Sequence, residues 1–247
     1  DAAPFVQVET WPGLTQMAQL QKLLWGARAP LLVLGGSRWS EAAVQSVRRF
    51  AERFALPVAC SFRRQMLFDH DHPNYAGDLG IGPNPPLAAR MRDADLLVLV
   101  GGRMSEMPSS SYGHIAIPEP RQALVHVHPG AEELGRLYRP TLAINASPTA
   151  FTASLEALQP PNAIPWAGEA EKAHAAYRAW ATPVENPGPV QLSRIIAWLN
   201  ERLPEDAIIT NGAGNYAGWV HRFYRFRRYG TQLAPTSGTM GYGLPAA

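Results

Sequence analysis

The chain has 247 residues, of which 46% are apolar and 17% charged, with a formal net charge of +2. That balance fills one large core or two smaller ones and excludes a disordered or fibrous chain. No apolar run approaches the roughly 20 residues of a membrane-spanning helix, and the few, scattered excess basic residues give no reason to expect a nucleic-acid partner.

The first residues, Asp1-Ala2-Ala3-Pro4, carry neither a methionine nor the basic-then-apolar pattern of a signal peptide. They read as a cut or processed end, and residues 1–20 as an N-terminal linker. Cys60 stands alone, which excludes an internal disulfide and fits a reducing compartment, with the cytoplasm as the default.

Short apolar runs then alternate with helical patterns, the signature of a parallel sheet covered by helices on both faces. Strands are expected at Pro30–Leu34, Pro57–Cys60, Leu96–Val100, Ala123–Val127 and Leu142–Ile144. Continuous Leu/Val runs such as 96–100 mark strands buried on both sides. Between them, Val44, Val47, Phe50, Ala51 and Phe54 recur at helical spacing over Glu41–Phe54, with Ser40 placed to cap the start. Pro85–Arg92 and Thr149–Leu158 read as further helices. The fold class is therefore α/β, a doubly wound, Rossmann-like domain over residues 21–158.

Prolines 160, 161, 165, 183, 187 and 189 collect over residues 159–189, which read as an exposed connection between domains carrying a helix at Glu169–Trp180. The pattern then restarts with a helix at Val190–Arg202, a strand at Ala207–Thr210 and a glycine turn at Gly212–Gly214 leading into another helix. Residues 190–247 are expected to be the truncated N-terminal part of a second α/β domain.

In such sheets ligands bind beyond the carboxyl ends of the strands. Gly35-Gly36-Ser37, the long loop from Gly77 to Gly82 containing Gly80, Gly101-Gly102-Arg103 and Asn145-Ala146-Ser147 are placed there, a candidate dinucleotide cleft. Asp69-His70-Asp71-His72 has metal-ligand chemistry, but adjacent residues do not all face one ion, so it reads as a surface loop. His126 and His128 share one face of a strand with no third ligand, which favours strand-end hydrogen bonding. Arg222, Arg225, Arg227 and Arg228 alternate with Phe223, Tyr224, Phe226 and Tyr229; phosphate binding is an option, and a helix end with a solvated basic face is preferred.

The run Thr236-Ser237-Gly238-Thr239-Met240-Gly241-Tyr242-Gly243-Leu244-Pro245-Ala246-Ala247, with Gly212-Ala213-Gly214-Asn215-Tyr216 upstream, resembles the start of the diphosphate-binding domain of acetolactate synthase and related thiamine-diphosphate enzymes. Upstream, Pro30–Gly36, Asp71-His72-Pro73, Ala94–Leu97, and Pro129 followed by Glu132–Gly135 resemble the central domain of the same family. The resemblance covers nearly the whole chain in the family's order. It implies a lyase or carboligase, formally a transferase, in which thiamine diphosphate, bent into a V between subunits, attacks a 2-keto acid and serves as electron sink.

By position, Met240 resembles the residue that props this bend, and the Gly238 carbonyl resembles the acceptor for the aminopyrimidine amine, with Thr239 between them. Gly214, Asn215 and Tyr216 resemble the turn that contacts the diphosphate, where relatives often carry Gln-His in place of Asn215-Tyr216. The family's Gly-Asp-Gly magnesium segment and its activating glutamate have no counterpart here, so this chain alone is expected to be inactive. In acetolactate synthases the central domain binds FAD. Gly35, Gly36, Gly80, Gly101, Gly102 and Arg103 match positions that line it, whereas Ser105, Met107 and Asn145 stand where acids or an arginine are usual, so an empty cleft is preferred. The resemblance also implies a homodimer or homotetramer for the complete protein. The competing readings are a non-catalytic nucleotide-binding or scaffold module and, last, an NAD-dependent enzyme, for which the full Gly-x-Gly-x-x-Gly spacing is missing.

Overall fold

A computed structural model describes residues 3, 5, 6 and 8–247; of the end read at residues 1–4, all but Ala3 lie outside the described residues. Apolar five-residue runs form β1 (Pro30–Leu34) and β4 (Leu96–Val100), every residue of which is buried. They sit at the centre of a six-stranded parallel sheet with β2 (Val58–Ser61), β3 (Tyr75–Leu79), β5 (Ala123–His128) and β6 (Leu142–Asn145), in the order β3-β2-β1-β4-β5-β6. Alternate side chains divide between two helical layers, as the pleat requires. Leu32, Leu34, Val98 and Val100 join one apolar cluster, and Leu31, Val33, Leu97 and Leu99 the other. The first layer is built by α1 (Leu14–Gly26), α2 (Glu41–Arg53) and α4 (Pro148–Ser154), the second by α3 (Pro85–Asp93) and α5 (Glu169–Trp180). This is the doubly wound architecture read from the sequence. No helix among the described residues is long and apolar enough to cross a membrane.

The boundaries of β1 and β4 agree with expectation because both faces of each strand are apolar. Elsewhere the structure departs from expectation. Residues 14–20, expected within a linker, open α1, whose Met17, Leu20 and Leu24 bury one face, while the Gln16 amide donates to the Ala143 carbonyl at the sheet edge (2.9 Å). The segment 77–82, expected to be a long loop, begins as β3. Gly77 and Asp78 are poor strand formers, and only edge pairing to β2, with a register shift at Val58/Ala59, makes them a strand.

The proline-rich stretch is not simply exposed. Trp166 is buried and its indole donates to the Phe54 carbonyl (2.8 Å), and α5 packs along β3. Beyond it, α6 (Leu192–Arg202), β7 (Ile209–Thr210), α7 (Ala217–Phe223) and β8 (Gln232–Leu233) form a smaller unit in which β7 and β8 pair in parallel around Ile196, Phe223, Tyr224 and Phe226. The expected basic helix end is corrected here. After Phe223 the chain is extended; Tyr224 and Phe226 are buried, Arg222 lies 3.6 Å over the Trp180 ring, and Arg225 pairs with Asp71 (2.9 Å).

The Asp69–His72 segment is likewise no surface loop. His70 is 0% exposed, stacked on Tyr75 (4.1 Å between centroids) and edge-on to Tyr177 and Phe226. His72 meets Glu52 at 2.9 Å, and only the two aspartates look outward. Among the described residues no group of three or more His, Cys, Asp or Glu side chains could hold a metal ion.

Burial pushes the His70 imidazole down from 6.5 to about 3, so the native ring stays neutral while the unfolded chain takes up a proton near 6.5. Its contribution to stability is complete above pH 6.5 and is lost as pH falls toward 3, by at most about 1.4 kcal/mol per pH unit. Denaturant titrations of wild type and His70→Asn between pH 7 and 4 are expected to show a shallower fall for the variant; parallel curves would remove His70 as the cause.

Candidate functional site

Because all strands of the large sheet run the same way, the loops after β1, β2, β4, β5 and β6 gather on one edge. There the chain must turn sharply between close neighbours. Gly36, at φ +69°, lies so near the Gly101 carbonyl that a Cβ would sit 1.8 Å from its oxygen, and a Cβ on Gly35 would lie 2.8 Å from that of Ser61. Side chains are therefore excluded, and a cleft of about 580 Å³ opens above the glycine tips.

Of the residues named for a cleft, Gly36, Ser37, Gly101, Gly102 and Arg103 line this one, and Gly35 packs beneath it against Ser61 and Gly102. Gly80 does not reach it and packs instead beside Asp78 and Phe62. Asn145 also stays out: its amide donates to the His128 and Pro129 carbonyls (3.0 Å each) and fixes the loop after β5. The remaining wall comes from residues not assigned to the cleft in the sequence, notably Ser61, Arg64, His128 and the pair Thr236-Ser237. The strand-end rule would have reached Ser61, which ends β2, and Arg64, which follows it, but that loop carries no glycine to draw attention. Nothing local marks residues 236–237 as cleft residues, because they arrive from the smaller unit.

The charges in the cleft are largely committed. Arg64 donates from Nε to the Gly36 carbonyl (2.6 Å), and its burial pulls the guanidinium pKa down. Arg103 is 3.5 Å from Glu133, which also pairs with Arg136 (2.9 Å). His126 meets the Gly102 carbonyl through Nε2 (2.9 Å), and His128 accepts from the Gly130 amide at Nδ1 (3.0 Å). Burial lowers the His126 pKa, which makes Nε2 the protonated nitrogen of a neutral ring. Both histidines thus serve the strand end by hydrogen bonding, as the sequence suggested.

A second site lies on the smaller unit, where β7 ends in the turn Asn211–Tyr216. The Gly212 amide donates to the Tyr216 hydroxyl (2.9 Å), and the Tyr216 ring covers Gly214. Gly243 backs onto this turn, with room for a Cβ only 2.7 Å from the Gly212 nitrogen, so the two glycine segments singled out in the sequence are in contact. Gly214, Asn215 and Tyr216 are exposed, and their amides donate to no partner among the described residues. Consecutive exposed amides of this kind suit an anionic oxygen cluster. Gly238 is at φ +74°, Ser237 and Thr239 share a 2.7 Å hydrogen bond, and Met240 projects at 85% exposure. The Oδ1 atom of Asn211, buried below the turn, has no partner.

A doubly wound sheet with a glycine-tipped cleft, joined to a smaller unit with a second glycine turn, defines a class of α/β proteins whose ligand sites form at the carboxyl ends of the strands. Residues 17–158 match the family described as Thiamine pyrophosphate enzyme, central domain, and the chain belongs to that family. It is similar to the acetolactate synthase isozyme 2 large subunit of Escherichia coli (strain K12), 24% identical over 234 residues, 94% of this chain and 41% of that protein. The acetolactate synthase large subunit of Parasynechococcus marenigrum (strain WH8102) is 27% identical over 230 residues, 91% and 36% of the two chains. Acetolactate synthase 1, chloroplastic, of Zea mays is 26% identical over 249 residues, 96% and 37%. The chain spans about two fifths of the length of these relatives.

Replacing Gly36 by Ala is expected to cost more than about 2 kcal/mol or to prevent folding, because a methyl group has no space and the backbone is left-handed. Gly26→Ala, where a Cβ meets nothing within 4 Å, is expected to stay within about 0.5 kcal/mol of wild type. Thermal unfolding of the two variants checks the contrast, and equal midpoints would contradict it.

Proposed function

We propose that the complete protein is a thiamine-diphosphate-dependent enzyme of the acetolactate-synthase type, a lyase or carboligase acting on 2-keto acids as a homodimer or homotetramer. The observation that carries this reading is the contact of Gly243 with the turn Gly212–Tyr216, which brings the two cofactor-like motifs together within the smaller unit. In this reading residues 21–158 are the central domain, 159–189 the connection and 190–247 the start of the cofactor-binding domain.

The amides of Gly214, Asn215 and Tyr216 would hold the diphosphate oxygens. The Gly238 carbonyl would accept from the aminopyrimidine amine, Thr239 would set the spacing, and Met240 would support the cofactor with an apolar side chain that its own chain leaves uncovered. Thiamine diphosphate, when bound, supplies the electron sink for decarboxylation of the keto acid. Magnesium belongs to the proposal for the complete protein, but the described residues assemble no metal cluster and no step is assigned to it. In this reading the activating glutamate is supplied from outside residues 1–247, and the chain by itself is not a competent catalyst. The central cleft takes no FAD: Ser105 and Met107 replace charged partners, Asn145 is committed to the loop after β5, and Glu132 lines the wall where a second anion is unwelcome.

Calorimetry on the complete gene product is expected to show thiamine diphosphate binding that depends on Mg²⁺, and the purified protein is expected to lack flavin absorbance. No binding under any metal condition would leave the non-catalytic nucleotide-binding module as the better reading. Met240→Ala is expected to lower turnover roughly a hundredfold, as loss of positioning does. Its unfolding midpoint should not move, since the side chain is exposed; full activity in the variant would sink the assigned role.

A further inference from the structure

Arg63 stands between the two sites and belongs to neither list of motifs. It follows β2 at φ +54°, a conformation that a non-glycine residue keeps only where its surroundings force it, and it is 3% exposed. Its guanidinium rests 4.6 Å over the Phe62 ring and crosses into the smaller unit. There Nη1 donates to the Pro235 carbonyl and Nη2 to the Gly212 carbonyl (3.4 Å). Gly212 opens the turn whose amides face the diphosphate position, and Pro235 opens the segment that runs through Thr236-Ser237 to Gly238 and Met240.

We propose that Arg63 is a positioning residue for thiamine diphosphate: by clamping the Gly212 and Pro235 carbonyls with one rigid fork, it sets the separation of the two cofactor-binding loops before the cofactor arrives. The inference rests on the function proposed above and deepens it. A planar guanidinium offers donors at fixed spacing, so two carbonyls held by it are held relative to each other, which a lysine ammonium does not achieve. Neighbouring contacts serve a different purpose. The Gln65 amide nitrogen donates to the His221 carbonyl (2.7 Å), and Gln65 and Gln232 exchange hydrogen bonds of 2.8 and 2.9 Å, which register α7 and β8 against the large sheet without touching either loop. Released from Arg63, each loop regains backbone freedom that cofactor binding must then remove, so the loss appears in affinity.

The test is calorimetric titration of the complete gene product with thiamine diphosphate and Mg²⁺, using R63Q, R63K and R53Q. Arg53 also donates from Nη2 to two carbonyls, those of Leu155 and Leu158, but far from both cofactor loops, so R53Q controls for loss of an arginine that bridges two carbonyls elsewhere in the fold. R63Q is expected to weaken binding roughly tenfold or more, R63K to recover part of that loss, and R53Q to stay within about twofold of wild type. R63K keeps the buried charge and decides the matter if R63Q does not fold. Wild-type affinity in the folded Arg63 variant, or equal weakening in R53Q, overturns the proposal while leaving the enzyme reading intact. Absence of binding in wild type overturns both.

Discussion

The structure depends on one constraint: β1 and β4 are parallel neighbours whose residues are all buried. A strand buried on both faces needs helices above and below it, and parallel neighbours need crossovers to supply them. The winding therefore runs outward from this pair in both directions, to β2 and β3 on one side and β5 and β6 on the other. The reversal leaves a crevice at the carboxyl ends of β1 and β4, which is where the cleft lies. Its glycines follow from the same constraint, since two adjacent chains cannot diverge at that point if either carries a Cβ.

The seam between the large sheet and the smaller unit is built differently. It is polar and aromatic: Gln65 with Gln232, His70 among Tyr75, Tyr177 and Phe226, Asp71 between Arg178 and Arg225. Apolar packing tolerates small slips, whereas a buried hydrogen-bonded group loses its partner when displaced and is then costly. A seam of this kind fixes alignment more than it adds affinity. That alignment brings Thr236 and Ser237 into the wall of the central cleft and leaves Gly243 against the turn after β7.

Exposure divides the molecule by role. The cleft rests on strands with almost no accessible surface, and its Arg64 and Arg103 are already held, by the Gly36 carbonyl and by Glu133. The segment after Pro235 is open, with Met240 and Leu244 uncovered. A rigid scaffold carrying an open loop places binding residues without burying them in its own core. The half-buried Asp78, whose Oδ1 has no partner and whose carboxyl is pushed well above the usual range by desolvation despite the nearby Arg63, shows that the scaffold also keeps uncompensated polar groups close to this junction.

The sequence by itself determined the doubly wound class, the limits of β1 and β4, the helix Glu169–Trp180 and the two glycine motifs, because each is written in neighbouring residues: continuous Leu/Val runs, helical spacing, or an ordered motif. It also pointed to Gly36, Gly101 and Arg103, since glycine after a buried strand has a local meaning. Tertiary structure alone decided the rest. Gly77 and Asp78 became a strand only through an edge partner, His70 became a core residue only because α5 and the extended 224–226 segment close over it, and Asn145 turned from the cleft to serve the loop beside it. Thr236, Ser237 and Arg63 acquire their places from contacts more than 100 residues apart in sequence. No periodicity records such contacts, because the energy that selects them belongs to the packed pair and to neither segment alone.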